Sequence, residues 1–223
     1  AAVEVLESAG FQVTIPGVSL CCGRPLYDYG MLSTARRLLR RIVKVLREDI
    51  RNGVPVVGLE PSCVAVFRDE LVNMFPNDED ALRLKTQTFT LAEFLEKKAP
   101  HLSIPEFRHE VLVHGHCHQK AIMKMEAEKK LFEKMKLQSD IVDAGCCGMA
   151  GAFGYERGSH YDVSVAAGEL ALLPKIRETS NDTIIVADGF SCREQIMQQT
   201  GKHPLHTAEL LKLALRQSGQ NNA

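Results

Sequence analysis

The sequence lacks tryptophan, has only 6% aromatic residues and carries almost balanced charge, with 27 basic and 28 acidic residues among 223. A nucleic-acid surface needs a basic face, so this balance argues against a nucleic-acid partner. No apolar run approaches the roughly 18 residues of a membrane-spanning helix, and we expect no transmembrane segment. What remains is the profile of an ordinary globular protein with a solvated, charged exterior.

Cysteine is the residue type that stands out. The sequence has seven cysteines, an odd number, and they include two adjacent pairs, Cys21–Cys22 and Cys146–Cys147. A secreted disulfide scaffold is short and usually has an even number of dispersed cysteines. We therefore expect a reducing, cytoplasmic setting in which the thiols are free, reactive or bound to metal.

The order of the predicted elements indicates an α/β fold. Short runs rich in valine and isoleucine predict strands at 11–15, 54–59, 110–115, 139–143 and 183–188. The segments between them have helical periodicity, including a long amphipathic helix that ends at Gly53. Further helices are predicted to start near Val64, Leu91, Gln119, Ser159, Arg193 and Thr207. Strands alternating with helices predict parallel sheets whose faces are covered by helices.

The same order of motifs occurs twice: a strand, Cys-Cys-Gly, a helix, a strand ending in cysteine, and a helix. The spacing from Cys22 to Cys63 is 41 positions, and that from Cys147 to Cys192 is 45. Two repeated parallel α/β units related by a pseudo-twofold explain this pattern. The predicted boundaries are 1–75 for the first repeat, 76–109 for a linker with a helix, 110–218 for the second repeat and 219–223 for a tail.

The opening segment, "AAVEVLESAGFQVTIPG", has the pattern of a helix already in progress that leads into a strand. The second repeat has an upstream strand that ends at Cys117, and the first repeat has no counterpart. We therefore expect the first repeat to be truncated and the chain to be the C-terminal piece of a longer polypeptide.

The cysteines follow predicted strands, and the loops at the carboxyl ends of parallel strands converge at one edge of a sheet. Helix starts nearby stabilise thiolates, which are the form of cysteine that binds soft metals. The sequence therefore predicts a soft-metal or iron–sulfur site in the second repeat. Its predicted ligands are Cys117, Cys146, Cys147 and Cys192, and a possible second or partial site comprises Cys21, Cys22 and Cys63. The alternative for any one cysteine is a small buried apolar residue.

Glycines and histidines surround these cysteines and are predicted to support a cluster. Glycines next to the cysteine pairs let backbone amides approach the sulfurs of an anionic cluster, so Gly148→Val should disturb the site more than the fold. Their spacing differs from the G-x-G-x-x-G of dinucleotide-binding folds. Histidines near the site are candidate ligands or donors, or simply hydrogen-bonded loop residues. The supporting residues are Gly23, Gly145, Gly148, His116, His118 and His206.

With these motifs in hand, the chain resembles the cysteine-rich CCG domain family, which includes a subunit of heterodisulfide reductase and the iron–sulfur subunit of glycolate oxidase. The segments that carry the resemblance are "CCGRPLYDYG", "LEPSC", "HGHCHQK", "GCCGMAG" and "DGFSCREQI". Their wording is most similar to the C-terminal part of fused FAD-linked oxidases of the D-lactate or glycolate dehydrogenase type.

The resemblance implies that the second-repeat cysteines bind an iron–sulfur cluster, most simply 4Fe–4S, and that the chain relays electrons in a flavin-dependent 2-hydroxyacid oxidoreductase. FAD would sit in a separate flavin domain, next to a ferredoxin-like domain of the same polypeptide or complex. The electron acceptor would be a quinone or a redox protein. The module would be cytoplasmic, or held peripherally at the inner face of the membrane through its partners.

The family pattern ends each repeat in Cys-x-x-Cys, whereas Glu60 and Gly189 occupy the first cysteine positions here. Two other interpretations of the same cysteines stay open. One is a structural zinc site with four cysteine ligands. The other is direct thiol–disulfide catalysis of the heterodisulfide type by a cysteine of low pKa, with His116 or His118 as the proton donor.

Overall fold

The structure is a computed structural model that describes residues 1–221. The chain divides into two compact units, one formed by Thr14–Thr90 and the other by Ala1–Val13 together with the chain from Leu91 onward. The predicted tail, 219–223, is partly covered, because the last helix extends to Asn221 and the final two residues lie outside the described part.

The unit formed by Thr14–Thr90 is mainly helical around a two-stranded parallel sheet. Its strands pair Val56 with Thr88 and Val57 with Phe89. Its elements are α2 (Arg24–Asp28), α3 (Leu32–Val45), α4 (Arg47–Arg51), β1 (Val56–Val57), α5 (Pro61–Arg68), α6 (Glu70–Met74), α7 (Glu79–Gln87) and β2 (Thr88–Phe89).

The other unit is built on a three-stranded parallel sheet of order β4-β3-β5. Its elements are α1 (Ala2–Ser8), α8 (Leu91–Lys98), β3 (Glu110–His114), a π-helical turn (Gln119–Met123), α9 (Glu126–Lys134), β4 (Gln138–Ile141), a 3₁₀ turn (Phe153–Tyr155), α10 (Ser159–Glu169), α11 (Leu172–Glu178), β5 (Ile184–Ala187), α12 (Phe190–Thr200) and α13 (Thr207–Asn221). Within the described residues, no helix is long and apolar enough to cross a membrane.

The sheets are parallel and flanked by helices, which confirms the α/β fold class. The central strand β3 is buried along Val111–His114, as expected of a strand covered on both faces. The predicted long helix appears as α3 followed by α4, with a break at Leu46. Its apolar stripe, including Leu39, Ile42 and Val43, lies in the core.

One predicted strand was wrong. Residues 11–15 form no strand, although they are rich in β-branched side chains. An extended segment becomes a strand only by pairing with a second backbone, and none of the described residues pairs with it. Conversely, β2 was missed because it is only two residues long and follows a helix directly.

Two pairs of helices pack together within the larger unit. The helix α1 precedes the first cysteine pair and packs on α13, while α9 precedes the second pair and packs on α8. The segment 76–109 contains α7, β2 and α8, and is therefore more regular than a linker. The division of the chain into two repeats with the stated boundaries stays a prediction.

Candidate metal centre

The register of the three-stranded sheet brings the second-repeat cysteines to one edge. His114, the last residue of β3, pairs with Ala187, the last residue of β5. Cys117 follows β3 by three residues, and Cys192 lies in the first turn of α12, directly after β5. The loop after β4 supplies the adjacent pair Cys146–Cys147. Three strand ends therefore deliver four thiols to the same place, as parallel topology predicts.

The four thiols form a continuous row of contacts. Each thiol interacts electrostatically with the next one: Cys117 with Cys146, Cys146 with Cys147, and Cys147 with Cys192. The row runs from the surface into the core, because Cys117 and Cys146 are half-buried whereas Cys147 is 4% and Cys192 is 1% exposed. Cysteines from three distant segments of the chain thus meet in one sulfur cluster.

The pKa shifts of the four thiols alternate in direction along this row. Hydrogen bonds from Cys117 and Cys147 hold the pKa of Cys146 far below its usual range, and a hydrogen bond from Cys147 lowers the pKa of Cys192. The pKa values of Cys117 and Cys147 are raised, first by the neighbouring sulfurs that accept their protons and then by burial. Cysteine binds metal as the thiolate, so a bound cation would release the protons that these sulfurs hold.

Backbone close to the second cysteine pair serves the sulfurs directly. The Gly148 amide donates a hydrogen bond to Cys146 Sγ at 3.3 Å. The backbone of Gly148 has φ +97°, and a Cβ at this position would lie 2.0 Å from the Ser164 carbonyl oxygen in α10. The glycine thus allows both an amide–sulfur hydrogen bond and the close approach of a helix.

Ser164 fixes the loop from the side of the helices. Gln195 Nε2 donates to the Ser164 carbonyl oxygen at 3.2 Å and to its hydroxyl at 3.3 Å. The Ser164 hydroxyl lies 3.6 Å from Met149 Sδ, directly after the Cys-Cys-Gly motif. Because Ser164 and Gln195 are fully buried, these bonds tie α10 and α12 to the cysteine loop.

Lys120 also holds the loop that carries the second cysteine pair. Its ammonium group donates hydrogen bonds to the carbonyl oxygens of Ala144 and, at 3.2 Å, Gly145. Lys120 lies in the π-helical turn after Cys117, so one side chain connects the loop after β3 to the loop after β4.

We expect Lys120→Met to weaken metal retention without unfolding the protein. The methionine keeps most of the apolar stem but removes both hydrogen bonds and the charge, so the cysteine loop loses its tether. Partners of this outer kind typically change metal affinity by about 10- to 100-fold. Competition with a chelator, followed by metal analysis, measures the change. Lys129→Met is the control, since Lys129 is exposed and pairs with the exposed Glu126. Equal metal retention in both variants would contradict the role of Lys120.

The predicted supporting residues have different surroundings. His116 Nδ1 accepts a hydrogen bond from the His118 amide at 3.2 Å and lies 4.0 Å from Cys117 Sγ. His206 Nδ1 accepts from the Ala208 amide at 2.9 Å and lies 3.6 Å from Asp188, so its ring serves the start of α13. Gly145 is exposed, and a Cβ there would meet nothing within 4 Å. Their support of a cluster stays a prediction.

Sequence reasoning missed His114. Its ring is 2% exposed, and its ligand atom lies within 4.8 Å of the sulfurs of Cys147 and Cys192. The signal was present in the alternation of β3, because Leu112 and His114 point to the same face of the strand. Leu112 packs in one core cluster with Cys147 and Cys192.

The cysteines of the first repeat lie in the other unit and form a smaller group. Cys22 Sγ and Cys63 Sγ are 2.7 Å apart, whereas Cys21 is exposed. The hydrogen bond from Cys63 lowers the pKa of Cys22 and raises that of Cys63. Gly23 has φ +78° and lies against the backbone of Ala35 in α3.

The contacts of the two groups match position by position. Cys22 contacts Cys63 as Cys147 contacts Cys192, and in each pair the later cysteine is the third residue of a helix. The division of the chain into two repeats stays a prediction.

Comparison with known proteins finds one matching family model and several similar curated proteins. A family model described as the cysteine-rich domain, CCG, matches residues 1–68. The resemblance to the cysteine-rich CCG family is thereby confirmed, and the curated relatives extend it over almost the whole chain.

Three of these relatives differ in how much of their own length the chain covers. One subunit of anaerobic glycerol-3-phosphate dehydrogenase from Escherichia coli K12 is 29% identical over 219 residues, covering 96% of this chain and 54% of that protein. Lactate utilization protein A from Bacillus subtilis is 26% identical over 225 residues, covering 95% and 90%. D-2-hydroxyglutarate dehydrogenase from Pseudomonas putida is 27% identical over 211 residues, covering 94% and 20%. The chain thus spans about half of the first protein and a fifth of the third.

The donor set fits a soft metal or an iron–sulfur cluster. Thiolates are the preferred ligands of both, and one imidazole is compatible with either. Glycine backbone also packs closely against the sulfurs, as it does beside Cys146. At Gly189, a Cβ would lie 3.1 Å from Cys192 Sγ. The cysteine-rich second repeat is therefore a candidate metal centre.

Proposed function

We propose that this chain is an iron–sulfur electron-transfer module of a flavin-dependent 2-hydroxyacid oxidoreductase. The observation that carries the proposal is the continuous row of four thiols delivered by three strand ends. An iron–sulfur cluster, when bound, supplies transfer of single electrons. Cys117, Cys146, Cys147 and Cys192 would hold it.

The chain's own residues suit that role. Burial of Cys147 and Cys192 excludes water from one side of the site, whereas the half-buried Cys117 and Cys146 leave the other side close to the surface. Lys120 tethers the loop that carries Cys146 and Cys147, and the Gly148 amide donates a hydrogen bond to Cys146 Sγ. Hydrogen bonds to ligand sulfurs tune the potential of a bound centre.

The printed names of the relatives support the reaction class. Two are dehydrogenases, or parts of one, acting on glycerol-3-phosphate and D-2-hydroxyglutarate, and a third is named for lactate utilization. Each of these compounds carries an oxidisable carbon–hydroxyl group. We propose that this module passes electrons from FAD in a separate domain, by way of a ferredoxin-like domain, to a quinone or a redox protein.

Metal analysis of the chain purified without oxygen tests the proposal. We expect roughly four irons and four acid-labile sulfides per chain, with broad visible absorption. One zinc without sulfide or colour would overturn the electron-transfer function and leave a structural metal site. Absence of any bound metal, after reconstitution with iron and sulfide, would overturn both.

A further inference from the structure

Beside the four thiols, the described part of the chain has a buried histidine whose ring nitrogens make no hydrogen bond of good geometry. Both ring nitrogens of His114, Nδ1 and Nε2, are buried, and neither has a hydrogen-bond partner among the described residues. The polar group that the ring does influence is the Cys192 thiolate, whose pKa it helps to lower. A buried polar group without a good partner costs stability, and native proteins usually satisfy it with a protein group, water or an ion. This ring therefore needs an explanation.

The position of His114 supplies one. The residue ends the central strand β3, and its ligand atom lies within 4.8 Å of the sulfurs of both Cys147 and Cys192. Donors around a tetrahedral ion with metal–ligand bonds of about 2.0–2.3 Å are roughly 3.3–3.8 Å apart, so a small contraction would bring all three onto one metal. Loop residues can move more easily than the buried end of a central strand, so His114 is the fixed member.

We propose that His114 is a metal ligand, and that the centre has a mixed sulfur and nitrogen donor set that includes Cys147 and Cys192. The inference rests on the proposed function, because it concerns the same site. It differs from the four-cysteine expectation in adding one neutral nitrogen donor. His116 differs from His114, because its Nδ1 already accepts a hydrogen bond from the His118 amide.

The ligand set has an electronic consequence. Replacing thiolate by imidazole lowers the negative charge of an iron–sulfur centre and raises its reduction potential. A His114→Cys variant should therefore keep its metal, since it supplies a thiolate at the same strand end, but be reduced at a lower potential than the parent protein.

The test uses the full chain, metal-free and without oxygen, with Co²⁺ as the probe. Cobalt(II) is paramagnetic and reports the donor set directly. With ¹⁵N-histidine labelling, electron–nuclear double resonance should detect the coupling of a coordinated histidine nitrogen. The coupling should vanish in His114→Phe and in His114→Cys. Co²⁺ affinity should fall more than about 100-fold in His114→Phe, beyond the usual effect of an outer partner, and recover in His114→Cys.

The matched control is His109→Phe. His109 adjoins the opposite end of β3 and stacks on Phe107, and its replacement should leave both the affinity and the coupling unchanged. Absence of nitrogen coupling in the parent protein, its persistence in His114→Phe, or failure to bind Co²⁺ would overturn the inference. This outcome is separable from failure of the proposed function, which iron and sulfide analysis decides without reference to His114.

Discussion

Replacing Cys147 by serine is expected to remove the metal centre almost completely. Cys147 is an inner member of the sulfur row, because it interacts with both Cys146 and Cys192. Its side chain is buried. A serine hydroxyl is a poor ligand for soft metals, and in this position it also removes the sulfur that interacts with both Cys146 and Cys192. Iron and sulfide should fall from about four per chain to near zero, and the visible absorption should disappear with them.

Cys22→Ser is the matched comparison, because Cys22 occupies the equivalent position of the first repeat and lies in the other compact unit. We expect it to leave the iron of the second-repeat centre in place. Thermal unfolding of both metal-free variants separates loss of a ligand from loss of the fold. Equal loss of iron in the two variants would contradict assignment of the centre to the second repeat.

Substituting valine for Gly148 is expected to disturb both the site and the fold. A Cβ at this position would lie 2.0 Å from the Ser164 carbonyl oxygen and 2.8 Å from its carbonyl carbon, so α10 must move or the loop must. The positive φ adds backbone strain to the overlap. Strain and overpacking of these kinds together reduce the free energy of unfolding by about 2–6 kcal/mol. Denaturant unfolding and metal content measure the two effects.

This expectation differs from the one drawn from the sequence, which placed the effect on the site more than on the fold. The Gly148 amide does face Cys146 Sγ, but the helix behind the glycine leaves no room for a side chain. Gly145→Ala is the control, because a Cβ there meets nothing within 4 Å. A change within about 0.5 kcal/mol is expected for such an exposed position. Similar stability of Gly148→Val and Gly145→Ala would refute the close-packing account.

The sequence alone was sufficient for the elements that depend on local pattern. The Cys-Cys-Gly motif occurs both at Cys22 and at Cys147 and predicted a repeat, which stays a prediction. Strands rich in valine and isoleucine predicted β3 and β5 to within a residue or two at each end. The rule that parallel strand ends converge then brought Cys117 to the other cysteines.

What the sequence could not predict depends on contacts between distant segments. Residues 11–15 have strand-like composition, but pairing decides whether they form a strand. The lack of space for a side chain at Gly148 comes from Ser164, sixteen positions later. The hydrogen bonds of Lys120 connect the loop after β3 to the loop after β4. His114 is buried because β3 is the central strand of its sheet. No sequence motif near His114 predicts that position.

The central claim is that the second repeat holds a redox-active iron–sulfur centre, and a reductive titration of the chain without oxygen tests it most directly. Parent protein and Cys147→Ser would be titrated in parallel, following visible absorption and electron paramagnetic resonance. The account predicts reversible uptake of about one electron per centre by the parent protein, with a paramagnetic signal that Cys147→Ser lacks. A parent protein that takes up no electrons, or a signal that survives unchanged in Cys147→Ser, would contradict it.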